Sequence, residues 1–445
     1  MRKWLVLYLI LYFVTACDTD NDCLRQEICA GSTCKHKGLF PISIYDVLGG
    51  FCVLVVSALA NASGLGGGPL MTIILLVVIA FPTPNSVSLS QVTVFAGTCL
   101  AAGFRVHLRH PSRDKPAIDY ELLLLTITPL LLGTTLGVLL EQYSPSWVIL
   151  SLLTLILSWI TYEAGAGAFK AYNLENQERA EQQRLNEEAD DRDVSYVTSD
   201  LIAIPLRRIV ESERRMAPPM IATLLFFIYT FMVISSLIRG GRRVKSIVGF
   251  EFCEESYWIA TYTFTGISIL ISILIILYLK WRTRQKINVG YNFDDYDLIW
   301  NYTPSLICFS SALFAGMTAG FFSIGGGLVM SPIMLKLGLR PQVVVPTSSV
   351  LYVLTSSLAV ILHTVSGNID LDYSIWCAVF SLIGSSIGIF GMKLLVKKFQ
   401  RTSIMILAMA GLLAVCTVII PTYALSRYDE FSKGSRKNMC FSDEQ

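Results

Sequence analysis

Ser63-Gly64-Leu65-Gly66-Gly67-Gly68-Pro69-Leu70-Met71-Thr72 returns later in the chain as Phe322-Ser323-Ile324-Gly325-Gly326-Gly327-Leu328-Val329-Met330-Ser331. The second copy lies 259 positions on, and the same offset carries Pro82 onto Pro341, Ser88 onto Thr347 and Ser90 onto Ser349. A constant offset from Gly66 to Ser90 without a gap marks an internal duplication. Each glycine triplet leads straight into an apolar run, at 67–81 and at 326–335. Neither run is long enough to cross a hydrocarbon core of about 30 Å unaided. The reading of the fold therefore turns on what two broken helices do inside a membrane.

The membrane itself follows from composition. The 445 residues are 53% hydrophobic and 15% charged, with a mean hydropathy of +0.57. A soluble domain carries about 25% charged residues, so the chain lacks the surface to solvate water-soluble domains. Apolar segments recur at 43–62, 67–81, 85–104, 119–140, 145–162, 218–238, 257–279, 303–322, 326–335, 342–363, 373–392 and 403–422. The expected fold is an all-α polytopic membrane protein, built as two membrane repeats (43–162 and 303–422). A cytosolic charged linker (163–217) and a two-helix insert (218–302) separate them. A tail, 423–445, follows.

At the start, Arg2-Lys3, the apolar stretch Trp4 to Val14 and the small residues Thr15-Ala16 read as a signal peptide over 1–16. Insertion through the secretory pathway is the consequence. The exported segment 17–42 holds Cys17, Cys23, Cys29 and Cys34, which in an oxidising compartment make two disulfides by any of three pairings.

Lysine and arginine orient the repeats. If each glycine-broken pair returns the chain to its starting side, the cytosolic loops carry 22 basic residues against 11 outside. If each pair is one continuous span, the balance reverses to 10 against 23. The first arrangement places the amino terminus outside and makes the second repeat inverted relative to the first.

A glycine triplet at membrane depth costs helix stability, roughly 1 kcal/mol per glycine against alanine, and exposes backbone that lipid cannot solvate. Such backbone persists where it is buried in protein or lines a polar cavity. Inverted repeats with broken helices place transporter sites at the midplane, with helix amino termini offering positive charge to an anion. The candidate substrate residues are Asn61, Gly66, Gly67, Gly68, Ser88 and Ser90 in the first repeat. In the second they are Ser323, Gly325, Gly326, Gly327, Thr347, Ser348 and Ser349. The glycines allow close approach to backbone, and the hydroxyls are neutral donors suited to an oxyanion. Tight helix packing through small residues and hydroxyls bonded to their own backbone are the competing readings.

No Asp, Glu, Lys or Arg falls in the middle of an apolar segment, so neither a carboxylate proton relay nor a fixed counter-ion is visible. His363, near a segment end, reads as interfacial. The net charge of +2 argues against nucleic acid, and four scattered histidines argue against a metal site. No Walker loop or Ser–His pair points to an enzyme, and no cofactor is expected.

Gly325-Gly326-Gly327, Thr347-Ser348-Ser349 and Ser366-Gly367-Asn368-Ile369-Asp370 together resemble the sulfite exporter TauE/SafE family of membrane permeases. The resemblance covers about 43–162 and 303–422 and is strongest in the second half. The first half departs from it, with Leu89 where the second has Ser348. What the resemblance implies is movement of a small anion, sulfite or another sulfur-containing or organic anion. The expectation is a secondary transporter working by alternating access in a lipid bilayer. The alternative is a membrane receptor or scaffold that binds partners through its cysteine-rich outer segment and charged linker.

Overall fold

The computed structural model describes residues 26–30, 33–64, 66–110, 114–188, 211, 213–214, 218–240, 246–251, 254–291, 298–322, 324–367, 369–399 and 403–426. The signal-peptide reading, Cys17, Cys23, Ser323, the centre of the charged linker beyond 188 and the tail from 427 lie outside them.

A small antiparallel hairpin, β1 (Glu27–Ala30) and β2 (Thr33–His36), precedes the membrane helices. It sets Cys29 opposite Cys34 in register, and Cys29 is disulfide-bonded. The hairpin is tied to the membrane domain where His36 stacks on Phe81, with ring centroids 3.7 Å apart, and where Lys37 pairs with Asp46 at 2.7 Å.

The first repeat runs α1 (Ile44–Ser63), α2 (Gly68–Val77), α3 (Thr83–Arg105), α4 (Tyr120–Tyr143) and α5 (Ser146–Glu188). The insert is α6 (Pro219–Arg239) and α7 (Glu255–Asn288). The second repeat runs α8 (Tyr302–Phe322), α9 (Gly326–Lys336), α10 (Pro341–Val365), α11 (Leu371–Phe399) and α12 (Ser403–Ser426). Among the described residues nine helices are long and apolar enough to cross a bilayer, and the chain is an integral multi-pass membrane protein. At 1.5 Å per residue, α2 with 10 residues and α9 with 11 reach about halfway across.

The element boundaries have local causes. Ser43 and Asp46 form a capping box at α1, which stops at Gly64 in the left-handed region, φ +85°. Gly67, φ +76°, then opens α2, whose first turn holds Pro69, a residue with no N–H to leave unpaired. Asp119 caps α4 by accepting from the amides of Glu121 and Leu122, and Asp370 caps α11 through the amides of Asp372 and Tyr373. Ile118-Asp119 and Ile369-Asp370 are thus one capping device used twice. The linker reading needs a structural amendment: α5 continues without a break through 162 to Glu188, so the linker's first part extends a membrane helix.

The repeats interlock rather than stand side by side. α1 packs on α11 and α4 on α8; α3 lies on α10 and α5 on α12. Exchanging the repeats maps this pattern onto itself. Three Gly-x-x-x-Gly sequences make the tightest seams. Gly133 and Gly137 on α4 face Gly316 and Gly320 on α8 so closely that an added Cβ would overlap the opposing backbone. Gly384 and Gly388 on α11 meet the backbone of Leu54 and Ala58 on α1 in the same way. Where α8 has Gly316 and Gly320, α1 has Ser57 and Asn61, and its seam is polar. Ser57 Oγ donates to Ser381 Oγ at 2.9 Å, and Asn61 Nδ2 donates to Ser385 Oγ at 2.8 Å.

Candidate functional site

The two glycine breaks, far apart in sequence, converge on one side chain. Tyr352, in the middle of α10, is fully buried. A Cβ on Gly66 would lie 3.0 Å from its ring, and a Cβ on Gly325 or Gly327 would overlap the ring outright. The positive φ of Gly66 (+68°) and Gly325 (+78°) independently disfavours any L side chain there. The remaining glycines of the triplets look elsewhere. Gly67 packs on Ala60, Gly326 packs on Leu130 and Thr355, and the Gly326 amide donates to Thr355 Oγ1 at 3.3 Å. Gly68 is buried in the first turn of α2.

α3 and α10 run antiparallel past this centre and are pinned at both ends. At one end Arg105 Nη1 donates to Ser349 Oγ at 2.5 Å, while its Nη2 donates to the carbonyls of Asn61 and, at 3.2 Å, Ala62. At the other, Ser88 Oγ and His363 Nδ1 lie 3.0 Å apart. Arg105 corrects the expectation that no fixed positive charge stands at the breaks. Its position at the end of an apolar run hid it, but the helix carries it under the end of α1, where it is 6% exposed. His363 corrects the interfacial reading: it is fully buried because α3 crosses over it, a contact that lies 275 positions away in sequence.

The predicted hydroxyls among the described residues are buried and internally bonded. Ser90 accepts from Thr72 Oγ1 at 3.0 Å and donates to the carbonyl of Val87. Ser348 donates to the carbonyls of Val345 and Gly64, and Ser349 to Val345 while accepting from Arg105. Thr347 donates to the carbonyl of Val343 and accepts from the Asp119 amide at 3.1 Å. Asn61 is spent on the α1–α11 seam rather than on open space. Sequence reasoning placed these groups near the breaks but missed Tyr352, which carries no glycine or hydroxyl-run signature.

A second polar region lies where α4, α7 and α10 begin or end: a cavity of about 100 Å3 whose lining includes Lys115, Asp119, Glu121, Arg282, Lys286 and Arg340. Lys286 bonds Glu121 at 2.8 Å and Glu213 at 2.7 Å, Arg282 lies 3.2 Å from Glu121, and Trp300 Nε1 donates to Glu121 Oε2. Burial first, and then Glu121, raises the pKa of the Asp119 carboxyl above its usual range. The charges here largely neutralise one another and fasten the insert to the start of α4.

Comparison with known proteins supports the family resemblance. The family described as "Sulfite exporter TauE/SafE" matches residues 201–416. Sulfite exporter TauE/SafE family protein 1 of Arabidopsis thaliana is 26% identical over 88% of this chain and 87% of its own length. Family protein 2 of the same plant is 24% identical over 91% and 88%. A probable membrane transporter protein, YunE, of Bacillus subtilis (strain 168) is 31% identical over 34% of this chain and 56% of its own length. No solved structure matches. By these matches the chain is similar to the sulfite exporter TauE/SafE family.

Proposed function

We propose that this protein is a secondary transporter that moves a small anion, sulfite or another sulfur-containing or organic anion, by alternating access. The observation that carries the reading is the convergence of both glycine breaks on the buried middle of α10, with the Arg105 guanidinium one turn along at Ser349. A break in each repeat, meeting where the repeats touch, is the arrangement expected of a midplane site. The antiparallel passage of α3 against its repeat partner α10 supports an inverted relation between the repeats. Insertion through the secretory pathway with the amino terminus outside fits the loop charges.

The substrate site in this proposal comprises the Gly66 and Gly325–Gly327 breaks, with Ser348, Ser349 and Arg105 beside them. Ser88 and Ser90 belong to the neighbouring face of α3. Ser88, Ser90, Thr347, Ser348 and Ser349 are each hydrogen-bonded within the protein, so the arrangement supports a closed state whose internal bonds exchange for bonds to the anion. The test is flux in proteoliposomes against a panel of sulfite, sulfate, thiosulfate and sulfonates. Saturable uptake of at least one is the expected result. A folded protein that carries none of them would be a receptor or scaffold.

A further inference from the structure

We propose that Tyr352 is the hydrogen-bond donor for the transported anion, and that its ring fills the anion's space while the site is empty. The inference rests on the transport reading above. Three observations carry it. The ring lies against Gly66, Gly325 and Gly327, the three glycines of the two breaks at which any larger residue would strike it. The notch between the breaks is therefore cut to the shape of this side chain, and it empties when the ring swings out. Second, the Tyr352 hydroxyl is buried and has no hydrogen-bond partner. A phenol hidden without a partner is costly, and the sequence could have avoided that cost with phenylalanine. Other tyrosines of the bundle do find partners: Tyr229 donates to Ser357 at 2.7 Å, and Tyr373 to Asp46 at 3.1 Å. Third, Ser349, which holds the Arg105 guanidinium, is three residues before Tyr352 on the same helix and so shares its face.

A fixed cation, a neutral donor and a glycine-lined space that only a movable side chain fills are the elements of a site for a small oxyanion. The cation attracts charge and the phenol O–H pairs with an acceptor oxygen. A bond of that kind to a charged partner is shorter and stronger than a neutral one.

The test is Tyr352→Phe in the full-length protein, assayed for sulfite flux in proteoliposomes beside the wild type. The ring is kept, so the fold is preserved, and removing an unpartnered hydroxyl leaves the melting temperature equal or higher. The expected result is an apparent KM for sulfite raised about tenfold with the maximal rate within about twofold. An unchanged KM in Tyr352→Phe, with wild-type flux present, overturns this inference and leaves the transport reading standing. Absence of wild-type flux for every anion in the panel overturns the transport reading, and this inference with it.

Discussion

Arg105 sits one residue beyond the apolar run 85–104, where a hydropathy reading places it in a loop. In the fold its guanidinium is the donor for two α1 carbonyls and for Ser349. Buried carbonyls stripped of a donor cost about 1–3 kcal/mol each. Arg105→Ala is therefore expected to lower the melting temperature and to cut flux per folded molecule by about tenfold or more. Arg105→Lys keeps the charge but loses the planar fork that reaches several acceptors at once, so it should recover part of both. Melting temperature and flux measured on the same purified variants check this. Equal flux in Arg105→Ala and wild type would remove the arginine from the site.

Legibility at this scale followed chain locality. Gly66, Gly325 and Gly327 were visible because a triplet inside an apolar run demands a reason. Tyr352 was not, because an aromatic residue in a membrane helix is ordinary until its neighbours are known. Ser88 was visible as a hydroxyl, but its partner His363 comes from the other repeat.

Among the helices, the Gly-x-x-x-Gly seams decide how closely the repeats interlock. They are Gly133-Thr134-Thr135-Leu136-Gly137, Gly316-Met317-Thr318-Ala319-Gly320 and Gly384-Ser385-Ser386-Ile387-Gly388. Which seam faces which was not legible in the sequence, since that pairing arises only when α4 meets α8 and α11 meets α1. Packing through small residues, the competing explanation for the triplets, thus holds at these other glycines. Gly316→Ala places a methyl group into the Leu130 carbonyl, and one of the two backbones must move. The expected outcome is a melting temperature lower by about 5 °C or more, the scale of an overpacked core at 1–3 kcal/mol. Gly411→Ala on α12, where a Cβ meets nothing, should be neutral or slightly stabilising because alanine favours helix. Thermal unfolding of the two variants side by side checks the contrast, and equal melting temperatures would show that the seam yields freely.

At the scale of the molecule, the two breaks, the antiparallel pair α3 and α10, and the repeat-exchange pattern of contacts form a single device. The duplication and the number of apolar segments could be read from the chain because each is a local property summed along it. The interlocking could not, because it depends on which apolar faces choose one another. That α5 runs unbroken from the membrane segment to Glu188 was not legible for a related reason. Its charged second half resembles a solvated linker by composition, while helical geometry simply continues from the membrane.

The proposed carrier exposes one anion site alternately to the two sides. It is tested most directly by counterflow of labelled sulfite into proteoliposomes preloaded with unlabelled sulfite. A carrier returns empty or loaded through the same site, so internal anion should accelerate entry and drive a transient accumulation of label. Uptake several-fold faster with internal sulfite than without it is the predicted result. Label entry that is indifferent to internal sulfite, or no faster than into protein-free vesicles, would contradict the account.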